Sequence, residues 1–250
     1  MTRLETADHD SSVFAVPPRS VFNGETPVLY ENEKPQEKCG VTGIYSKIGE
    51  NVSHLIPAMQ HHLRHRGYDT AGMAVFHAPK NNGSEVSKGG LVVYKGQGRT
   101  DQVFPEGFDF AAHNLVGGRA VGHNRYGTSG GNHKDSLDGA QPMESSWNGR
   151  SIAIQYNGNL PESEREILRD KIPLELRKDK EIGFDTNDIA DAIVSSDGED
   201  DVGRIRNGLD GILMAYSLTI LTDQGRLFGL RGPSGTWPLW VGETDTEILF

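Results

Sequence analysis

The character of the sequence changes abruptly at Cys39. Residues 1–38 contain four prolines and scattered charges, and no apolar period runs through them. This composition predicts an irregular leader without a packed core of its own. Residues 39–45 are small, apolar and rich in strand formers, which predicts a buried β-strand. The change divides the chain into a leader, residues 1–38, and a folded domain, residues 39–250.

Composition and charge exclude several classes of protein. The chain has 250 residues with a formal net charge of -10, which fits one large domain plus a tail. Its acidity argues against a nucleic-acid partner, and no apolar run approaches the ~18 residues that a membrane span needs. Cys39 is the only cysteine, so an internal disulfide and a multi-cysteine zinc site are both excluded. We expect a cytoplasmic protein without a metal or other cofactor.

The order of secondary-structure patterns predicts an α+β fold with stacked sheets, since strands lie toward both ends of the domain and helices between them. Helices are expected from about residue 53 to the stop at Gly67, over 162–171, after the N-cap cluster 185–187, and over 200–209. Strands are expected, after 39–45, at 71–76, 91–94, 116–123, 151–156, 215–221, 227–230, 239–241 and 248–250.

Cys39 has two interpretations. A lone cysteine is most often a small buried apolar residue. Here, however, cleavage after Lys38 would give Cys39 a free α-amine, whose ordinary pKa is ~7.7–8.0. Such an amine can take a proton near neutral pH, so that one residue would supply both nucleophile and base.

Other polar residues lie at the ends of predicted elements. Arg125 begins a flexible loop and could bind a carboxylate or form a surface salt bridge. Asn157 and Gly158 end a strand and could hold an oxyanion or form an ordinary turn. Asp188, in the first turn of a helix, is also favoured there by the helix dipole. The histidines at 61, 62 and 65 lack the zincin spacing, which favours a solvated helix end over a zinc site.

Taken in order, several segments resemble the class II glutamine amidotransferase domain, an N-terminal-nucleophile (Ntn) hydrolase. They are residues 39–44, 65–72, 122–130, 141–142, 157–160 and 187–188. The resemblance implies a four-layer αββα sandwich. The leader end and residues 231–239 look most like the amidophosphoribosyltransferase branch, whereas residues 66–69 look more like the glucosamine-6-phosphate synthase branch.

The resemblance also implies roles for individual residues. Cys39 would be the nucleophile and, through its amine, the base, and Arg66 would support its position. Asn157 and the Gly158 N–H would form the oxyanion hole. Glutamine would be bound by the remaining candidates: Arg125 and Thr128 for its carboxylate, Asp188 for its ammonium, and Tyr126 on the loop that covers it.

The implied reaction is hydrolysis of glutamine to glutamate and ammonia, with ammonia used by an amidophosphoribosyltransferase-type synthase in purine biosynthesis. A phosphoribosyltransferase half is missing from these 250 residues, so the synthase would be a separate chain or a domain beyond this one. Several positions depart from the family pattern: Tyr156 replaces the usual His, Gly127 replaces the Pro of that branch, and Arg231, Thr236 and Trp237 also differ from the usual residues. The alternatives are a glucosamine-6-phosphate synthase-type glutaminase domain and a non-catalytic glutamine-binding or regulatory homologue with an uncleaved leader. A homo-oligomer is also possible.

Overall fold

The structure is a computed structural model that describes residues 13–16, 39–78, 80–81, 86–87, 89–126, 137–177 and 184–250. The strands are β1 Val13–Val16, β2 Gly40–Ser46, β3 Thr70–His77, β4 Lys80–Asn81, β5 Val86–Ser87, β6 Gly90–Gln97, β7 Arg119–Arg125, β8 Met143–Trp147, β9 Arg150–Asn159, β10 Ala215–Thr222, β11 Leu227–Arg231, β12 Gly242–Glu243 and β13 Glu247–Leu249. The helices are α1 Ile56–His62, α2 Thr100–Val103, α3 Glu162–Asp170, α4 Leu174–Arg177, α5 Asp185–Ser195 and α6 Asp201–Leu209, with 3-10 turns at Ser53–Leu55, Arg64–Arg66 and Leu137–Gly139. None of the helices in these ranges is long and apolar enough to span a bilayer.

The strands form two large stacked sheets. Within the described ranges, one sheet has the order β1-β11-β10-β9-β8 and the other β12-β13-β2-β7-β3-β6, while β4 and β5 pair as a separate hairpin. Helix α5 packs on β8 and β9 of the first sheet, and α1 packs on β2 and β7 of the second. The resulting order of layers is helix, sheet, sheet, helix. The αββα sandwich expected from the sequence is therefore present.

Side chains alternate between the two faces of a strand, and both outer faces are apolar. The sheet face under α5 carries the fully buried Ile154, Leu218 and Ile220, which form one large cluster with Ile189 of the helix. The face under α1 belongs to a second cluster that includes Ile44 and Met73.

The space between the sheets changes character along the strands. The residue pairs that face this space form three successive levels, which we call apolar, middle and outer. In the apolar level, Ala74 pairs with Val121 and Ala153 pairs with Leu221. Two residues along each strand, the middle level pairs Gly72 with His123 and Gln155 with Thr219. Two residues further, the outer level pairs Thr70 with Arg125 and Asn157 with Ser217. Each step of two residues covers ~7 Å, so polarity increases toward one end of the sandwich.

Several boundaries differ from those expected. The leader, predicted to be irregular, contains β1, which pairs in parallel with β11. The strand predicted at 239–241 is wrong, because the chain is irregular there and pairing begins at β12; Trp240 is 82% exposed and has no layer to pack against. The proposed N-cap cluster lies inside α5, whose N-cap residue is Phe184. Strand β8 and the helical turn α2 were not predicted.

Candidate active site

Cys39 lies at the outer level, immediately before β2. The Arg66 Nε donates a hydrogen bond of 2.8 Å to the Cys39 carbonyl, which fixes the backbone at Cys39. Burial raises the pKa of the Cys39 thiol; the Tyr126 backbone N–H and the charges of Arg125 and Arg66 oppose that rise, and the charge of Asp185 adds to it. The thiol is therefore protonated at neutral pH, and it needs a nearby base before it can attack.

Arg125, the last residue of β7, presents a buried cation to this site. Its guanidinium carbon lies 5.4 Å from the centre of the Phe184 ring, a cation–π arrangement. The same group packs on Gly139, where a Cβ would come within 2.7 Å of it. A side chain at position 139 would displace the arginine, so this glycine is required by the close approach.

Tyr126 connects Arg125 to residues 127–136. Its ring meets Tyr68 edge to face at 5.3 Å, and Tyr68 is 53% exposed. A side-chain hydrogen bond between the two phenols raises the pKa of Tyr68. This pair forms part of the rim of the site. Thr128, predicted to bind the carboxylate, lies outside the described residues.

Asn157 and Gly158 lie at the end of β9, in the sheet opposite Cys39. Asn157 is buried, and its side-chain amide has no hydrogen bond to another described residue. A Cβ on Gly158 would lie 2.4 Å from the Ala215 carbonyl oxygen and 2.7 Å from the Tyr156 ring. Position 158 therefore accepts only glycine. A buried side-chain amide beside the backbone N–H of a required glycine fits the donors of an oxyanion hole.

The structure gives the Asp188 carboxylate partners other than a substrate ammonium. Its Oδ2 accepts hydrogen bonds from Arg165 Nε at 2.6 Å and Arg169 Nε at 3.0 Å, which tie α5 to α3. Asp185 is different: its charge acts on Cys39 and on Tyr156, and burial raises its own pKa. Asp185, rather than Asp188, is the carboxylate associated with the thiol.

Sequence reasoning missed Asp185 because it was taken for part of a helix cap. The structure assigns that position to Phe184, and the Asp185 Oδ1 accepts the Thr186 N–H at 2.8 Å. The sequence signal that could have identified Asp185 was its position at the start of the helix that contains Asp188, three residues before that residue.

Tyr156 occupies the position where the family has His. Burial, together with the charges of Asp185 and Cys39, raises its pKa well above the ordinary value, so the phenol stays neutral. Its hydroxyl has no hydrogen bond to the described part of the chain. No group of three metal-ligating side chains occurs among the residues that the structure describes.

Comparisons with known proteins agree with this geometry. No protein-family model matches the chain. An amidophosphoribosyltransferase of Synechococcus elongatus is 32% identical over 225 residues, which cover 88% of this chain and 41% of the relative. Amidophosphoribosyltransferase 1, chloroplastic, of Arabidopsis thaliana is 31% identical over 245 residues, covering 96% and 39%.

Solved structures give the same result. Glutamine phosphoribosylpyrophosphate amidotransferase from B. subtilis has a TM-score of 0.62 at 26% identity, over 84% of this chain and 40% of that one. The fold is that of the Ntn-hydrolase amidotransferase domains. This chain spans about two fifths of the length of the relatives that it matches.

Proposed function

We propose that this chain, a homologue of the amidophosphoribosyltransferases, hydrolyses glutamine to glutamate and ammonia through a thioester on Cys39. The ammonia would serve an amidophosphoribosyltransferase-type synthase in purine biosynthesis, in the cytoplasm. The observation that carries the proposal is one half-buried cysteine whose thiol is influenced by the cation of Arg125 and the carboxylate of Asp185.

Glutamine is a zwitterion at its α-carbon, so its site needs a cation and an anion. Arg125 supplies the cation, since a guanidinium binds a carboxylate through two parallel hydrogen bonds. Asp185 supplies the anion, in place of Asp188, whose carboxylate is engaged by two arginines. Thr128 stays a predicted neighbour of the carboxylate and Tyr126 a predicted part of the cover.

The reaction runs in two steps. The Cys39 thiolate attacks the side-chain amide carbon, and the oxyanion is stabilised by the Asn157 amide and the Gly158 N–H. The C–N bond breaks, and ammonia leaves after receiving a proton. Water then cleaves the thioester, which releases glutamate and restores the thiol.

The raised pKa of the Cys39 thiol makes the base important. A free α-amine on Cys39 would be that base, since its ordinary pKa of ~7.7–8.0 suits proton transfer at neutral pH. We therefore propose that residues 1–38 are removed. While the nitrogen of Cys39 stays in a peptide bond, it cannot take this proton.

One observation favours a second candidate, a non-catalytic homologue that keeps its leader. Strand β1 lies within residues 1–38 and extends the β11 edge of its sheet. Backbone pairing of this kind gives the leader a structural role besides that of a propeptide. The relatives' names favour the amidophosphoribosyltransferase branch over the glucosamine-6-phosphate synthase branch.

Two measurements test the proposal on the purified chain. Intact mass should show a polypeptide that begins at Cys39, and that material should release ammonia from glutamine. Cys39→Ala should release none above background. Ammonia release that survives this substitution contradicts the thioester, and full activity in chains that keep the leader contradicts the role of the amine.

A further inference from the structure

Directly beneath the Cys39 site, the space between the sheets contains buried polar atoms without partners. Within the described part of the chain, no hydrogen bond reaches Thr70 Oγ1, Gln155 Nε2 or Ser217 Oγ, and the ring of His123 beside them has a polar contact only with the Tyr156 backbone. Each of these four residues is at most 1% exposed. All belong to the middle and outer levels, so they face one another across the sandwich.

The surroundings close this space from solvent. The backbone oxygen of Gln141 packs against Gly72, where a Cβ would lie 2.3 Å from it. The Gln141 side chain accepts the Tyr156 N–H at 2.6 Å and donates to the Tyr156 carbonyl at 3.2 Å, which anchors the segment on β9. The His123 ring approaches the Tyr156 backbone from the other sheet. The polar groups are therefore enclosed between two sheets and one anchored segment.

Buried polar groups are almost always paired, because leaving one without a partner is costly. Several such groups lining one enclosed space are the condition under which water is retained inside a protein, whereas apolar spaces stay dry. A water molecule can both donate and accept, which suits hydroxyls, an amide N–H₂ and a neutral imidazole together.

We propose that this space binds ordered water molecules held by Thr70, His123, Gln155 and Ser217, and that it supplies the water that hydrolyses the Cys39 thioester. The supply role rests on the proposed function. The outer level contains Thr70 and Ser217 beside Arg125 and Asn157, so the water lies one strand step from the groups that hold the acyl intermediate.

The approach from this side follows from how the glutamyl group is held. Arg125 and Asp185 bind its α-carbon end, and Tyr126 covers the rim, so the outer approach to the thioester is filled by the substrate. The oxygen of an internal water attacks the thioester carbon, the C–S bond breaks, and one proton of the water returns to the sulfur. Glutamate leaves and the thiol is restored.

Thermal unfolding tests whether water occupies this space, because the midpoint temperature of a variant shifts in opposite directions in the two cases. Thr70→Val keeps the shape of the side chain and removes the hydroxyl. If water bridges Thr70, the midpoint falls, as it should in the control Thr42→Val, whose buried hydroxyl donates to the Gly122 carbonyl at 3.0 Å. If the hydroxyl is truly unpaired, its removal raises the midpoint and overturns the proposal. Ser217→Ala gives a second reading of the same sign if Thr70→Val does not fold.

Acid-quenched reactions with glutamine test the supply role. The fraction of chain carrying a γ-glutamyl adduct on Cys39, read by intact mass, should rise several-fold in Thr70→Val and Ser217→Ala but not in Thr42→Val. An unchanged adduct fraction overturns the proposal. Failure of the proposed function differs visibly, because the parent chain would then form no adduct while the unfolding shifts would still report on the water.

Discussion

The outer faces of the two sheets and the space between them differ in what holds them together. The outer faces pack mainly apolar side chains against helices, and burial of these side chains is their main source of stability. The inner space begins apolar at Val121 and Leu221 and becomes polar at His123 and Gln155. The comparison teaches that the helices secure the sandwich, which allows one end of its interior to carry groups that are costly to bury.

The largest effect is expected at the polar end. Asn157→Ala should lower kcat for glutamine hydrolysis by roughly 10²–10³-fold and leave KM nearly unchanged, since an oxyanion donor acts mainly in the transition state. Asn207→Ala, on α6, is the matched control because its amide donates to the Asp197 carbonyl at the surface. Equal kinetics in the two variants would remove Asn157 from the oxyanion hole.

At the contact between α3 and α5, outside the sheets, Asp188→Asn should destabilise the fold by about 3 kcal/mol. The reason is that Arg165 and Arg169 lose the buried carboxylate that they share. The KM for glutamine of the folded protein should stay near that of the parent chain. Urea unfolding and steady-state kinetics measure the two quantities. A large rise in KM with normal stability would return the ammonium role to Asp188.

Asp185→Asn should show the opposite pattern. Loss of a charge-paired hydrogen bond to the substrate ammonium should raise KM roughly 10-fold or more. Burial raises the pKa of this carboxyl in the fold, so the folded state binds the proton more tightly and the parent loses stability as pH rises from about 3.8 through the raised value. The variant should therefore gain stability over the parent as pH rises, measured as Tm from pH 3 to 7.

The smallest effect, over one pH unit, concerns His123. Burial lowers its pKa to about 3 from 6.5, so its contribution is fully present above pH 6.5 and is lost as pH falls toward 3. Between pH 6.5 and 5.5 the parent should lose about 1 kcal/mol through this group. His123→Phe should abolish that slope in urea titrations. A slope unchanged in His123→Phe would place the titrating group elsewhere.

Apolar periods and polar punctuation in the sequence predicted an α+β fold with stacked sheets, whereas the four-layer αββα order was implied by the family resemblance. Strand β8 escaped prediction because Glu144 and Ser146 interrupt its apolar character on the exposed face. The strand predicted around Trp240 was wrong for the opposite reason. Its residues are apolar, but the fold provides no layer for them to pack against.

The structure places Arg66, Arg125 and Tyr126 around the thiol of Cys39. It puts Asn157 and Gly158 at the end of a strand in the opposite sheet. Their roles stay predictions. The choice between Asp185 and Asp188 depended on which carboxylate the arginines of α3 would engage. That pairing arises from the contact of two helices, and no local pattern in the sequence encodes it.

The pairing of β1 with β11 gives leader removal a consequence beyond freeing an amine. Scission after Lys38 would turn one polypeptide into a complex of two, in which β1 pairs with the β11 edge. The short fragment could then dissociate on dilution, and its departure would bare the hydrogen-bonding groups of Leu227–Arg231. An uncovered edge of this kind invites pairing with another chain, so the fate of the released peptide would govern whether the matured enzyme stays dispersed.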